Sequence, residues 1–260
     1  MTDLPQRHVS ILYVLRKLSI SILTKTKLVM KKTLLFLFVL FAFPAIHSVS
    51  QDNNDPKLLS HGLPSGNEQI FNFPVGTTFY TRTTSYAPVK RISWSEIQIV
   101  ARNGDDTYTK VLSYAENPMV TDLTNITTVR REKERINYVM ETACFQLSEK
   151  SDLGFPYPIN PSVNATFPDI HIEGKSPTEV GKMKSQMDYT NIRVTGKEEL
   201  TTPAGTFQCY ILEYQFVSKI AGAKASYEVK AWVSDAVGLI RNNSYKGGEL
   251  IYSADLWSIF

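Results

Sequence analysis

The stretch from Glu199 to Val217 constrains the fold of this chain more than any other part of the sequence. Pro203 supplies the backbone torsion that suits the second position of a tight turn, and Gly205 can adopt a positive φ without a steric clash. After this turn, residues 207–217 are rich in aromatic and β-branched side chains, which predicts a long β-strand. Because both faces are apolar in its first half, we expect this strand to be covered on both sides and to lie inside a sheet.

The turn before this strand has a compact signature. It connects two strand-like segments and therefore predicts a β-hairpin. The signature residues are Thr202, Pro203, Ala204, Gly205, Thr206 and Phe207.

Similar alternation elsewhere predicts about nine or ten strands. The candidate segments are 77–85, 92–102, 107–115, 120–129, 135–146, 189–200, 207–217, 225–235, 237–245 and 249–259. A change of apolar phase within 92–102 predicts a bulge, and 135–146 could also form a helix, although its apolar spacing of two favours a strand. The fold class is therefore all-β, with a single antiparallel, strongly curved sheet or barrel.

Residues 154–188 interrupt this pattern. Four prolines between Gly154 and Pro168 argue against regular structure there. We expect this Pro-rich excursion to fold over the sheet as a lid.

The front of the chain predicts export. Lys31 and Lys32 precede a 14-residue apolar core, and small residues at Ser48 and Ser50 predict cleavage before Gln51. The apolar core is too short for a comfortable membrane span, so the mature protein is not expected to span a membrane. We interpret residues 1–29 as an upstream extension, 30–50 as a signal peptide, 51–69 as a flexible leader and 70–260 as a β-barrel-like domain.

Charge argues against a nucleic-acid partner. Residues 1–50 hold seven of the 28 basic residues and one of the 25 acidic residues, which leaves a net charge of −3 for residues 51–260. The remaining basic run, 130–135, is interleaved with acids. No basic footprint for nucleic acid remains.

The two cysteines, Cys144 and Cys209, leave two possibilities open. An even pair in an exported protein permits a disulfide. The alternative is two separately buried thiols.

No catalytic or phosphate-binding motif is present, and residues 51–260 contain only two histidines. Asp169, His171 and Glu173 share one strand face and could approach a metal, but no second histidine lies nearby, so a solvated strand face is the preferred interpretation. We predict no catalytic residues, no metal site and no cofactor.

Aromatic residues are frequent in the predicted strands. They pack well on a pleated surface, but rings on a cupped sheet can also line a ligand cavity. The candidate cavity-lining residues are Trp94, Tyr138, Tyr210, Tyr214 and Trp232.

Two motifs resemble a known family. The pattern Gly196–Tyr210, which contains T-T-P-A-G-T-F-Q-C-Y, and the closing segment Trp232–Leu250 are similar to the signatures of the TapB-like and DUF3108-like exported β-barrel proteins of Bacteroidetes. The similarity is good over 190–260 and loose over 72–150. The resemblance implies an all-β exported protein and no established activity.

We therefore expect a soluble, non-enzymatic exported module in the periplasm or the extracellular space. It would bind an apolar or amphipathic ligand (a lipid, glycan or peptide) or a partner in the cell envelope. The alternatives are a structural or assembly factor of the envelope and a hydrolase whose site is not recognisable.

Overall fold

The computed structural model describes residues 73–87, 89–115, 125–132, 134–140, 142, 145–178 and 181–260. The expected upstream extension, signal peptide and leader (1–69), together with Cys144, lie outside the described residues. None of the described residues belongs to a helix of the length and apolar character needed to cross a membrane.

Thirteen strands of the described chain form one antiparallel sheet. They are β1 (Thr78–Ser85), β2 (Arg91–Asn103), β3 (Asp106–Ala115), β4 (Asn125–Arg131), β5 (Arg135–Val139), β6 (Gln146–Leu147), β7 (Gly154–Pro158), β8 (Ile170–Thr178), β9 (Gly181–Thr202), β10 (Gly205–Ile220), β11 (Ala223–Ser234), β12 (Gly238–Lys246) and β13 (Glu249–Ile259). Their order is β6-β8-β9-β10-β11-β12-β13-β1-β2-β3-β4-β5-β7. The predicted fold class is confirmed, and the sheet is open rather than closed over the described strands.

The strand after the turn signature is a central strand, as predicted. β10 pairs with β9 on one side and β11 on the other. Cys209 and Tyr210 are adjacent and point to opposite faces, yet both are buried. Gly205 has a φ of 136°, which an L side chain rarely adopts, so the turn needs glycine at this position.

Within the segment 135–146, Arg135–Val139 form β5 and Gln146 begins β6, so the helical alternative is wrong for these described residues. The apolar spacing of two predicted the strand correctly, because β5 pairs with β4 on one side and with β7 on the other. The bulge predicted within 92–102 is also present, since the β2–β3 register shifts between Ile99 and Ala101.

The prediction that residues 154–168 lack regular structure is wrong for Gly154–Pro158, which form β7, while residues 159–168 contain no strand. Residues 170–178 and 181–188, expected to continue a lid, belong to β8 and the first part of β9. Proline is tolerated in β7 because this strand ends the sheet and uses only one of its sides for pairing. Gly154 permits that pairing, since a Cβ there would lie 1.8 Å from the carbonyl oxygen of Tyr138.

The sheet curls so that β7 reaches across to strands near its other end. The Phe155 ring of β7 lies 4.9 Å from the Tyr189 ring of β9 and 5.2 Å from the Tyr214 ring of β10. Two hydrophobic clusters result, one around β7 to β11 and one that includes Phe79, Ile99 and Leu256. Tyr138 packs against both clusters and joins them.

Candidate functional site

Buried polar side chains cross the inner face of the sheet, which is the face that carries Leu212 and Tyr214 of β10. On this face Leu212 lies opposite Ala231, and Ala231 lies opposite Asn242 of β12. Asn242 in turn lies opposite Ala254 of β13, and Ala254 lies opposite Thr83 of β1. Asn242 and Thr83 therefore point to the same side, two strands or about 10 Å apart.

These side chains lack the hydrogen bonds that buried polar groups usually make. Asn242 is 0% exposed, and neither of its amide atoms has a partner among the described residues. The hydroxyls of Thr83 and of Ser95 in β2 are also buried, and no described residue bonds to either. Each unpaired buried group costs about 1–3 kcal/mol, so a cluster of them is an unusual feature of a folded interior.

Two tyrosines extend this row. The hydroxyls of Tyr214 and Tyr252 are buried, and neither has a hydrogen-bond partner in the described part of the chain. The two phenols are close enough to interact electrostatically. The Thr83 hydroxyl also lies near Tyr252, although outside hydrogen-bond geometry. We call Thr83, Ser95, Tyr214, Asn242 and Tyr252 the inner polar strip.

The inner polar strip carries no charge. Burial raises the pKa of Tyr252 to about 12, and the nearby Thr83 hydroxyl offsets only part of that rise. Burial also raises the pKa of Tyr214 well above its ordinary value, with further contributions from neighbouring tyrosines. Both phenols are therefore neutral near pH 7, and every group of the strip can donate and accept hydrogen bonds.

Aromatic rings form a wall beside the strip. Tyr214 belongs to both, and its ring centroid lies 5.2 Å from that of Phe155 and 5.8 Å from that of Tyr189. These spacings are typical of packed aromatic pairs. The ring wall consists of Tyr138, Phe155, Tyr157, Tyr189, Tyr214 and Phe216. The inner face thus combines an apolar wall with neutral polar groups.

The five rings predicted to line a cavity are divided between two faces of the sheet. Tyr138, Tyr210 and Tyr214 pack in or against the cluster around β7 to β11. Tyr210 is paired already, since its hydroxyl donates to the Pro158 carbonyl at 2.7 Å. Trp232 is one residue from Ala231 of the inner face and therefore points to the outer face. The structure thus places the inner three and the two tryptophans on different faces, and a cavity-lining role for these rings stays a prediction.

Trp94 lies on the same face as Trp232, because a row of residues paired across neighbouring strands connects the two. Trp232 lies opposite Arg241, Arg241 opposite Asp255, Asp255 opposite Arg82, and Arg82 opposite Trp94. Arg241 and Asp255 form an ion pair. The Arg82 guanidinium lies over tryptophan rings instead, at 5.9 Å from the Trp94 centroid. We call these five residues the outer row.

An open cleft of about 770 Å³ also lies on the outer face, near β9 to β12. Glu213, Glu228 and Lys230 contribute charged side chains to it. Arg193 and Glu213 are paired across it at 3.3 Å, and the Asp169 carboxylate accepts a hydrogen bond from a backbone N–H at 3.1 Å. This cleft has mixed charge and wide access to solvent, which are features of a surface groove.

His171 lies between two carboxylates on a partly exposed strand face. Its Nδ1 lies 2.6 Å from the Asp188 carboxylate, and its Nε2 lies 3.7 Å from the Glu173 carboxylate. The side chain is 40% exposed, in line with a solvated strand face. In the described ranges, no group of three or more His, Cys, Asp or Glu side chains could hold a metal. Asp169, the third candidate, contacts Asn191 instead.

The sulfur of Cys209 is buried and lies 3.6 Å from the carbonyl oxygen of Phe207. In the thiol form, burial raises the pKa of Cys209 to about 12, with a smaller contribution from Glu198. Because Cys144 lies outside the described residues, a disulfide between the two cysteines stays a prediction.

Asn242, Thr83 and Ser95 were not singled out by the sequence analysis. Strand phase is the signal that could have found them. Asn242 stands two residues after Ile240 and two before Ser244, and all three are buried on one face of β12. A polar residue in the apolar phase of a strand predicts a buried polar group.

A family model decides the relationship to known proteins. The model of the DUF3108-like family matches residues 113–256, which is more than half of the chain. The protein belongs to the DUF3108-like family. The resemblance seen in the hairpin signature and the closing segment is thereby confirmed for this family.

Solved structures support the same fold for this DUF3108-like chain. A Bacteroides fragilis protein described as a predicted exported protein with a YmcC-like fold has a TM-score of 0.57 at 14% identity, over 72% of this chain and 96% of its own. A predicted lipoprotein from Parabacteroides distasonis has a TM-score of 0.56 at 16% identity, over 72% and 97%. At these identities the likeness shows the fold alone. None of the curated proteins matches the chain at a significant level.

Proposed function

We propose that this protein is an exported, non-enzymatic β-sheet module that binds a small amphipathic molecule on its inner face. Asn242 carries the proposal, since its amide is fully buried and has no protein partner in the described chain. The ring wall provides an apolar surface beside it. One apolar wall with a few convergent polar groups is the usual composition of a small-molecule site.

Export to the periplasm or the extracellular space is supported by the basic and apolar pattern of residues 30–50. The two structurally similar proteins are themselves described as an exported protein and a lipoprotein. Both observations favour a role outside the cytoplasm.

The two alternative functions have less support. An assembly factor that docks through a sheet edge would need a long unprotected edge strand, but β6 has two residues and β7 carries two prolines. A hydrolase that used His171 as its base would need a nucleophile beside the imidazole, but the Nε2 of His171 lies 3.7 Å from the Glu173 carboxylate instead.

Native mass spectrometry of the exported protein can test the proposal. Four probes share a twelve-carbon chain and differ in their head group: lauramide, 1-monolauroylglycerol, laurate and dodecylphosphocholine. We expect at least one probe to bind with 1:1 stoichiometry. Failure of all four to bind would contradict the proposed function.

Matched aromatic variants locate the bound probe. Tyr214→Ala removes a ring of the inner wall, and Trp94→Ala removes a ring of the outer row. We expect the first to weaken binding by about tenfold or more and the second to leave it unchanged. Near-ultraviolet circular dichroism checks that both variants are folded, and Tyr214→Leu replaces Tyr214→Ala if that variant unfolds. Equal effects of the inner and outer variants would contradict a site on the inner face.

A further inference from the structure

We infer that the bound molecule presents an uncharged polar group that both donates and accepts hydrogen bonds, such as a primary amide or a glycerol ester. This inference rests on the proposed function and names the ligand class for the same site. It follows from what surrounds Asn242 on the inner face.

Asn242 itself sets the hydrogen-bonding pattern. Its side chain offers two N–H donors and one carbonyl acceptor, and none of them is used by the residues that the structure describes. A partner that satisfies both ends must carry a donor and an acceptor side by side. An ester alone accepts only, and a quaternary ammonium group can do neither.

The other members of the inner polar strip add further hydrogen-bond donors and acceptors but no charge. Thr83, Ser95, Tyr214 and Tyr252 carry hydroxyls, each able to donate one hydrogen bond and accept others. No carboxylate, ammonium or guanidinium group belongs to the strip.

The charged residues next to Asn242 and Thr83 along the chain, Arg241 and Arg82, point away from the strip. In β12, β13 and β1 the charged residues are Arg241, Asp255 and Arg82, apart from Lys246 and Glu249 at the exposed hairpin end. Arg241, Asp255 and Arg82 lie in the outer row, on the opposite face of the sheet. Arg241 and Asp255 also neutralise each other.

An ionic head group would therefore enter a buried site without a countercharge. Moving an isolated carboxylate or ammonium out of water costs far more than moving a neutral amide, because only the charged group loses a large solvation energy. A neutral group that replaces its bonds to water with bonds to Asn242 avoids this cost. The site thus discriminates against fatty acids and phosphocholine lipids.

Head-group selectivity tests this inference. Isothermal titration calorimetry at pH 8 compares lauramide and 1-monolauroylglycerol with laurate, dodecylphosphocholine and methyl laurate, each as monomers. We expect the two neutral compounds with donors to bind at least about tenfold more tightly than the other three.

Neighbouring asparagines provide the matched variants. Asn242→Leu removes the inner amide, and Asn243→Leu removes the outer amide of the next residue. We expect Asn242→Leu to abolish the preference for lauramide over methyl laurate, and Asn243→Leu to keep it. If Asn242→Leu does not fold, Tyr252→Phe is used, and it should reduce the preference by about threefold or more.

The outcomes separate the inference from the function on which it rests. Tightest binding by laurate or dodecylphosphocholine would overturn the inference and leave the proposed function in place. An unchanged preference in Asn242→Leu would also overturn it. Absence of binding by every probe would remove the proposed function itself.

Discussion

Asn242 and Asn243 are neighbours in β12, yet their hydrogen bonding differs completely. Asn243 lies on the outer face, where its amide donates to the Tyr245 hydroxyl at 3.2 Å and accepts from Ser253 at 2.8 Å. Asn242 lies on the inner face and has no partner in the described ranges. The same side chain on the same strand thus has its hydrogen bonds made by the fold on one face and lacks them, among the described residues, on the other.

The two faces also differ in how they hold charge. The outer row contains an ion pair and cation–π contacts, and four of its side chains are half-buried while Trp232 is buried. The inner polar strip is fully buried and neutral. Arg241, Asp255 and Asn243 on the outer face are paired within the fold, although the buried Nε of Arg82 has no hydrogen-bond partner among the described residues. Unpaired buried groups are candidates for function, and most of the inner polar strip consists of them.

The largest effect is expected from a charge on the inner face. Asn242→Asp places an isolated carboxyl among neutral groups, so its pKa should rise and the free energy of unfolding should fall by about 4 kcal/mol or more at pH 7. Because the folded-state pKa is raised, this loss should disappear below about pH 4, where the unfolded-state carboxyl is also protonated. Urea unfolding at both pH values measures it. Asn243→Asp is the control, and an equal loss in both variants would contradict the difference between the faces.

Alkaline pH should unfold the protein through its inner tyrosines. Burial raises the pKa of Tyr138 and of Tyr252 to about 12, above the ordinary value of 10.0. The stability that depends on their neutral form is present below pH 10 and is lost as the pH rises through the folded-state values. Absorbance at 295 nm should therefore rise together with the loss of circular dichroism. Ionisation of all tyrosines near pH 10 in the folded protein would show that the inner phenols are not buried.

Removing the inner amide should stabilise the ligand-free protein. Asn242→Leu replaces an unpaired buried amide with a side chain of similar shape, so the free energy of unfolding should rise by about 1–3 kcal/mol. Asn243→Leu should lower it by about 0.5–1.5 kcal/mol, because it breaks two hydrogen bonds. Thermal and urea unfolding of both variants measure the two changes. Destabilisation by both would mean that the inner amide contributes to the fold as the outer one does.

The smallest effect is expected for the outer ion pair. Arg241 and Asp255 are 29% and 26% exposed in their side chains, so water screens part of their attraction. A double-mutant cycle with Arg241→Ala and Asp255→Ala should give a coupling of about 1 kcal/mol or less. Urea unfolding of the four proteins measures it, and a coupling of several kcal/mol would make the outer row a principal source of stability.

Local patterns in the sequence were sufficient to predict most of the sheet. The Pro203–Gly205 turn, the period-two spacing of β5 and the two apolar faces at the start of β10 depend on backbone sterics and on alternation within one strand. These rules act over a few residues, so they can be applied without knowing which strands become neighbours.

The edge of the sheet could not be predicted in this way. Pro156 and Pro158 normally argue against a strand, but β7 pairs on one side only and therefore does not need the missing N–H groups. Whether a strand lies at an edge depends on the order of all thirteen described strands, which no local rule provides.

The sequence by itself determined the all-β class, the central hairpin and the family, because each is encoded in residues that are close together along the chain. Only the tertiary structure decided that Asn242, Thr83 and Tyr252 share one buried face while Trp94 and Trp232 lie on the other. Side-chain direction follows from strand register, and bulges such as the one between Trp232 and Val233 shift that register by one residue. Burial then depends on the curl of the sheet, which is a property of all its strands together.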